Sequence, residues 1–161
     1  MSPNRPVVVT SPAKINLGLE ILGRRGDGYH EIRTILATIG LADILSITMF
    51  PARPESRISG VPNVRPEDNL IGRAIAAFAN ETGIRHGYNV DVTKNIPSPG
   101  GLGGASSNAA ATLIALNDLH GRPLSRERMH ALASILGADV PFFLGPPVAL
   151  ARGTGTELEP L

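Results

Sequence analysis

The chain has 161 residues, a formal net charge of +1, 4% aromatic residues and no cysteine. That length suits one domain with a real core, and the near-neutral, aromatic-poor composition gives no electrostatic case for nucleic acid or a membrane surface. Lack of cysteine excludes disulfides and thiolate metal sites; with no apolar run near the ~20 residues of a membrane span and no signal-peptide core in Met1-Ser2-Pro3-Asn4-Arg5-Pro6, a cytoplasmic location is expected.

In chain order, residues 7–10 and 15–22 are apolar and β-branched enough for strands, 24–30 is a Gly/Asp-rich turn, and 32–39 and 44–49 are further strands. A Pro-rich excursion covers 51–66. Asp68 is placed to cap a helix over 69–81, with Leu70, Ala74, Ala77 and Phe78 on one face and Gly83 as its stop. Residues 88–93 alternate as a strand and deliver the chain to a glycine-rich loop. A helix over 104–119 follows. Ser125 then caps another helix, whose Met129, Leu132, Ala133 and Leu136 form a core stripe, and 148–152 closes a last strand. Strands feeding helices in this way predict an α/β (α+β) two-layer fold with helices on one face of a sheet. His86, His120 and His130 show no metal-like spacing and read as surface residues.

The loop carries the most chemistry. Gly100, Gly101, Gly103 and Gly104 fall within five positions, then Ser106 and Ser107 open into alanine-rich sequence. A tight turn at a helix start leaves backbone N–H groups without helical partners, in the positive potential of the helix dipole. Such a place suits phosphate. A Walker A loop is excluded, because no lysine follows Lys94. The dinucleotide fingerprint fails too, with Ser106 where its third glycine belongs. What remains is a phosphate cradle of helix amides and serine hydroxyls, or a glycine loop that merely turns the chain.

The run Pro97-x-x-Gly100-Gly101-Leu102-Gly103-Gly104-x-Ser106-Ser107-Asn108-Ala109-Ala110 resembles the central motif of the GHMP kinases, named for galactose, homoserine, mevalonate and phosphomevalonate. Two more stretches narrow the likeness: Ser11-Pro12-Ala13-Lys14-Ile15-Asn16-Leu17 with Arg25-Gly26-Asp27-Gly28-Tyr29-His30, and Leu136-Gly137-Ala138-Asp139-Val140-Pro141-Phe142-Phe143. They resemble the branch that phosphorylates a cytidyl-bearing alcohol on the non-mevalonate route to isoprenoid precursors. The resemblance runs from residue 11 to the C-terminus. It implies that 1–161 is the N-terminal domain of a two-domain kinase, ribosomal-protein-like with a left-handed β-α-β crossover, its C-terminal domain absent from this chain. Weak nucleotide binding, little turnover, and a face that meets a second copy or the missing domain are then expected.

The same resemblance assigns ATP to Pro97, Ser98, Pro99, Gly100, Gly101, Leu102, Gly103, Gly104, Ala105, Ser106 and Ser107, with Ser107 nearest the metal–phosphate cluster. Mg²⁺ would be held by phosphates and water, with no protein metal site. Asn69 and Lys94 fall at nucleotide-pocket positions on the adenine side, although helix capping by Asp68 and core packing of Leu70 explain the first of these segments equally well. Pro99 and Ala105 stand where the family usually has glycine, which alters the cradle, since proline removes one N–H.

Asp139 lies in an apolar run and needs a partner. From the residues alone, a turn cap and a catalytic acid or base are equal readings; the resemblance implies the general base. Lys14, between Ala13 and Ile15 on an apolar strand, is either an edge lysine or, in the preferred reading, the charge that keeps Asp139 ionised and oriented and can bond the acceptor hydroxyl. Asn16, Tyr29 and His30 are implied to bind the cytidyl substrate, since a ring and an imidazole can meet cytosine's face and edge. Without the resemblance, Tyr29 and His30 read as a turn with a half-buried ring. Two other functions stay open: another GHMP-type small-molecule kinase, and a non-catalytic nucleotide- or RNA-binding module of the same fold.

Overall fold

The protein is described by a computed structural model that covers residues 5–24, 26, 28, 30–62, 64–153 and 155–161. Runs of valine, isoleucine and threonine near the N-terminus favour a pleated, half-buried surface. They form two long antiparallel strands, β1 (Val7–Arg24) and β2 (His30–Phe50). The sequence suggests two shorter strands in place of each. The chain instead runs through, because register slips between Pro12 and Lys14, Asn16 and Gly18, and Ile21 and Gly23 absorb the interruptions. Bulges of this kind let proline and glycine sit inside a continuing strand.

On the β2 edge opposite β1, β4 (Gly87–Thr93) pairs with the second half of β2 and β5 (Val148–Gly153) with the first. Two strands escape the sequence reading. β6 (Glu157–Pro160) extends β5, and β3 (Arg57–Ser59), inside the Pro-rich excursion, lies parallel to β4. Both are too short to show a period. A parallel pair needs a crossover, and α1 (Leu70–Thr82) supplies it between β3 and β4.

With α2 (Gly104–Leu119) and α3 (Arg126–Leu136), α1 packs against Leu45 and Ile47 of β2 and Tyr88 and Val90 of β4. Ile71 and Phe78 enter this core from α1, Leu113 and Leu116 from α2, and Leu132 and Ala133 from α3. α2 is buried on almost every side, and Ala109, Ala110, Ala111 and Ala115 let its neighbours approach closely. The α1 cap is Asn69, not Asp68: Asn69 Oδ1 accepts from the Ile71 amide at 3.0 Å, while Asp68 pairs with Arg65 at 2.6 Å. An amide oxygen in that position satisfies an orphan helix donor. Gly83 stops the helix at φ 75° and Ser125 caps α3, as the sequence predicts.

The three histidines read as surface residues, His86, His120 and His130, are each half-buried, and the rings of His86 and His120 have centroids 5.1 Å apart. His120 Nε2 lies 2.7 Å from the Tyr88 hydroxyl. Burial pushes the Tyr88 phenol up to about 12, and burial, then the charge of His86, pulls His120 below the usual imidazole value. Both groups are therefore neutral at pH 7 and share one hydrogen bond.

Asp43, in the middle of β2, is fully buried. Its Oδ1 accepts from the amides of Asn95 at 2.8 Å and Ile96 at 2.9 Å, and its Oδ2 is paired with the Lys94 ammonium. Burial alone would raise its pKa. Bonds from Ile96, Lys94 and Asn95 outweigh that and hold it below the ordinary 3.8. A carboxyl depressed in this way stabilises the fold above its unfolded value, and the contribution disappears as pH falls through the lower folded value. Asp43→Asn is expected to lower the unfolding free energy by on the order of 3 kcal/mol at neutral pH. In thermal melts the gap to wild type should shrink below pH 3.8; a gap independent of pH would contradict this account. For the core, Phe78→Ala should cost about 3–5 kcal/mol in urea unfolding.

Candidate active site

The loop between β4 and α2 turns through Gly101 at φ 65° and Gly103 at φ 71°, left-handed conformations that glycine adopts without strain. Gly103 is the N-cap of α2 and offers no side chain to cap it, unlike Asn69 and Ser125 at the other helices. The first helical bond runs from the Ser107 amide to the Gly103 carbonyl at 2.8 Å. The amides of Gly104, Ala105 and Ser106 thus have no helical acceptor. They line a cleft of about 690 Å³, along with Pro97, Ser98, Pro99, Gly100, Gly101, Leu102 and Gly103. The lining also includes the apolar Val61, Pro62, Val64, Leu70 and Ile71, with Asp68 among them. Asn69 and Lys94 also line it, Asn69 with its amide oxygen committed to the helix cap.

Behind the Leu102–Gly103 wall stand Lys14 and Asp139. The backbone N–H of Lys14 donates to the Leu102 carbonyl at 2.9 Å, which ties β1 to the loop. A Cβ on Gly103 would stand 3.0 Å from Lys14 Cγ and 3.0 Å from Phe143 Cζ, so the lysine stem and the phenyl ring already occupy the space a side chain would need. Lys14 is buried, and its Nζ reaches Asn16 Oδ1 at 2.9 Å and Asp139 Oδ2 at 3.7 Å. The Asn16 amide is itself oriented: Nδ2 donates to Thr34 Oγ1 at 3.0 Å, and the Thr34 hydroxyl donates to the Gly18 carbonyl. The Asp139 side chain is 43% exposed. Following α3 and preceding the 3₁₀ turn Pro141–Leu144, it presents an accessible carboxylate beside a buried cation. That arrangement can accept a proton and keep the product charge balanced.

The two serines of the loop part company. Ser106 lines the cleft, whereas Ser107 is 1% exposed and faces β1. Ser11 Oγ lies 2.7 Å from both Ser107 Oγ and Asn108 Oδ1. A hydroxyl carries one proton and an amide oxygen only accepts, so Ser11 donates to Asn108 and receives from Ser107. His30 begins β2 and is exposed; Tyr29 falls outside the described residues. Ser11, Asn108, Thr34 and Asp43 escape the sequence reading. For Asp43 the signal was present, an acid within Leu41-Ala42-Asp43-Ile44-Leu45 that needs a partner as much as Asp139 does.

Known proteins resemble the chain in sequence and in fold. A family model described as GHMP kinases N terminal domain matches residues 69–145. The chain is 46% identical over 153 residues to the 4-diphosphocytidyl-2-C-methyl-D-erythritol kinase of Bordetella pertussis, covering 93% of this chain and 50% of that protein. It is 44% identical over 151 residues to the enzyme of the same name from Sulfurihydrogenibium, covering 94% and 54%. A crystal structure of 4-(cytidine 5'-diphospho)-2C-methyl-D-erythritol kinase superposes with a TM-score of 0.84 at 41% identity, over 96% of this chain and 55% of that one. The mevalonate kinase of Methanococcus jannaschii, at 16% identity and a TM-score of 0.71 over 97% of this chain and 56% of its own, shares the fold alone. The chain spans about half the length of the curated relatives it matches. Sheet, crossover helix, glycine loop and these likenesses agree: residues 69–145 match the N-terminal domain of the GHMP kinases, and the chain has that domain's fold.

Proposed function

We propose that this chain supplies the ATP-binding and catalytic part of a kinase that transfers the γ-phosphoryl group of ATP to the 2-hydroxyl of 4-diphosphocytidyl-2-C-methyl-D-erythritol, a step of non-mevalonate isoprenoid precursor synthesis in the cytoplasm. One observation carries the reading. The Lys14–Asp139 pair, 3.7 Å apart, shares the Leu102–Gly103 wall with a cleft that the first amides of α2 line without helical acceptors.

Phosphoryl transfer asks a protein for positioning and for neutralisation of developing charge. The amides of Gly104, Ala105 and Ser106 hold the polyphosphate, and the apolar part of the lining takes the base. The acceptor hydroxyl is placed against Asp139, with Asn16, Tyr29 and His30 contacting the cytidyl part. As the acceptor oxygen forms its bond to γ-phosphorus and the bridging oxygen leaves with ADP, the hydroxyl proton passes to the Asp139 carboxylate. Lys14 offsets negative charge on the transferring group, and Asn16 fixes its ammonium. Among the described residues no three His, Cys, Asp or Glu side chains gather as a metal site; magnesium brought with the nucleotide would take its ligands from phosphate oxygens and water, and would supply further charge neutralisation.

In the polypeptide carrying this domain, Asp139→Asn and Lys14→Met are each expected to lower turnover by about 10²–10⁴-fold while binding of a non-hydrolysable ATP analogue persists. Turnover near wild type in either variant removes that residue from the mechanism. Equal or faster phosphorylation of mevalonate or homoserine would reassign the acceptor.

A further inference from the structure

Lys94 stands closer to the start of α2 than an adenine contact requires. Its Nζ lies 3.4 Å from where a Cβ on Gly104 would be, hence within about 6 Å of the Gly104 amide nitrogen by standard bond geometry. Gly104 is the first residue of the uncapped helix. A cation beside the positive end of a helix dipole is disfavoured, so something must hold it there. Asp43 does so, from full burial, through Oδ2.

Asp43 also fixes what comes next in the chain. Its Oδ1 receives the amides of Asn95 and Ile96, and Ile96 Cγ2 lies 3.1 Å from the missing Cβ of Gly104. One carboxylate therefore sets both the ammonium and the backbone that leads into the glycine loop. Lys94 is the only lysine or arginine that lines the cleft among the described residues. An ammonium has three donors and Asp43 engages one, which leaves donors for a ligand on the cleft side. The apolar part of the lining is the better seat for a purine ring.

We propose that Lys94 is the side-chain cation that meets the polyphosphate of the bound nucleotide, and that Asp43 is the positioning residue that sets it there. This rests on the reading of the cleft as an ATP site. The lysine stands in for the missing Walker lysine, brought from the strand before the loop instead of the helix after it.

Calorimetric titration of wild type, Lys94→Met, Lys94→Arg and Asp43→Asn with ADP, adenosine and tripolyphosphate tests both layers. Lys94→Met should weaken ADP and tripolyphosphate by about 10- to 100-fold and leave adenosine unchanged, with Lys94→Arg retaining most of the phosphate affinity. Asp43→Asn should show the same selective loss, which a purely structural defect would not, since that would weaken all three ligands alike. Equal loss of adenosine and ADP in Lys94→Met would put the lysine at the base and overturn the proposal, as would unchanged ADP affinity. Wild type that binds neither ADP nor tripolyphosphate would instead overturn the ATP-site reading beneath it.

Discussion

Three segments meet at Gly103, and the approach is too close for a side chain. A Cβ at this position would stand 3.0 Å from the stem of Lys14 and from the ring of Phe143, on a backbone whose φ of 71° already disfavours other residues. Because the position is bare, the aliphatic part of Lys14 lies along the loop and its ammonium is delivered to Asp139. The Lys14 N–H bond to the Leu102 carbonyl locks the same contact from the backbone side. The amide-lined cleft and the Lys14–Asp139 pair are thus two faces of one wall. A displacement of either moves the other.

Two buried polar clusters hold that wall from opposite sides. Ser11, Ser107 and Asn108 join β1 to the first turns of α2, at 0%, 1% and 3% exposure. Asp43 joins β2 to Lys94, Asn95 and Ile96, just upstream of the loop. Polar groups this deep are costly unless every partner is present. Among the described residues no buried side-chain nitrogen or oxygen lacks one. Sliding β1 or the loop by a residue would strand several of them at once, so the clusters fix register as well as adding stability. The open amides of α2 are therefore aimed before any ligand arrives, and donors organised in advance need no rearrangement when charge develops.

How much of this the sequence discloses depends on how local the determining physics is. The limits of α2 and the cap of α3 are legible because glycine loops and a serine cap act within a turn of the residues they affect. β1 and β2 are broken too early in the sequence reading, since a bulge such as that beside Pro12 looks like a strand end until the partner strand is known. β3 and β6 are recognisable only through their neighbours β4 and β5. Within the site, Lys14 and Asp139 are found through motif resemblance, and their approach to 3.7 Å is a matter of tertiary packing. The division between Ser106 and Ser107 follows from helical phase: once Gly103 is the cap, one further residue turns the side chain from the cleft toward Ser11.

The wider likenesses separate what is general in this domain from what is particular. The homoserine kinase of Cytophaga hutchinsonii shares the fold at a TM-score of 0.71 with only 20% identity, and fold alone does not set the substrate. On the proposed reading phosphate is recognised by backbone amides, a kind of contact that survives wide sequence change provided the glycines keep their conformation. An acceptor alcohol has to be read by side chains. On the proposed reading those side chains lie on the β1–β2 hairpin, where Thr34 orients Asn16 and Asn16 in turn orients Lys14. That relay couples acceptor recognition to the catalytic charge. An acceptor that displaced Asn16 would release the lysine ammonium from its aim, so discrimination among alcohols would be felt in the chemical step as well as in binding.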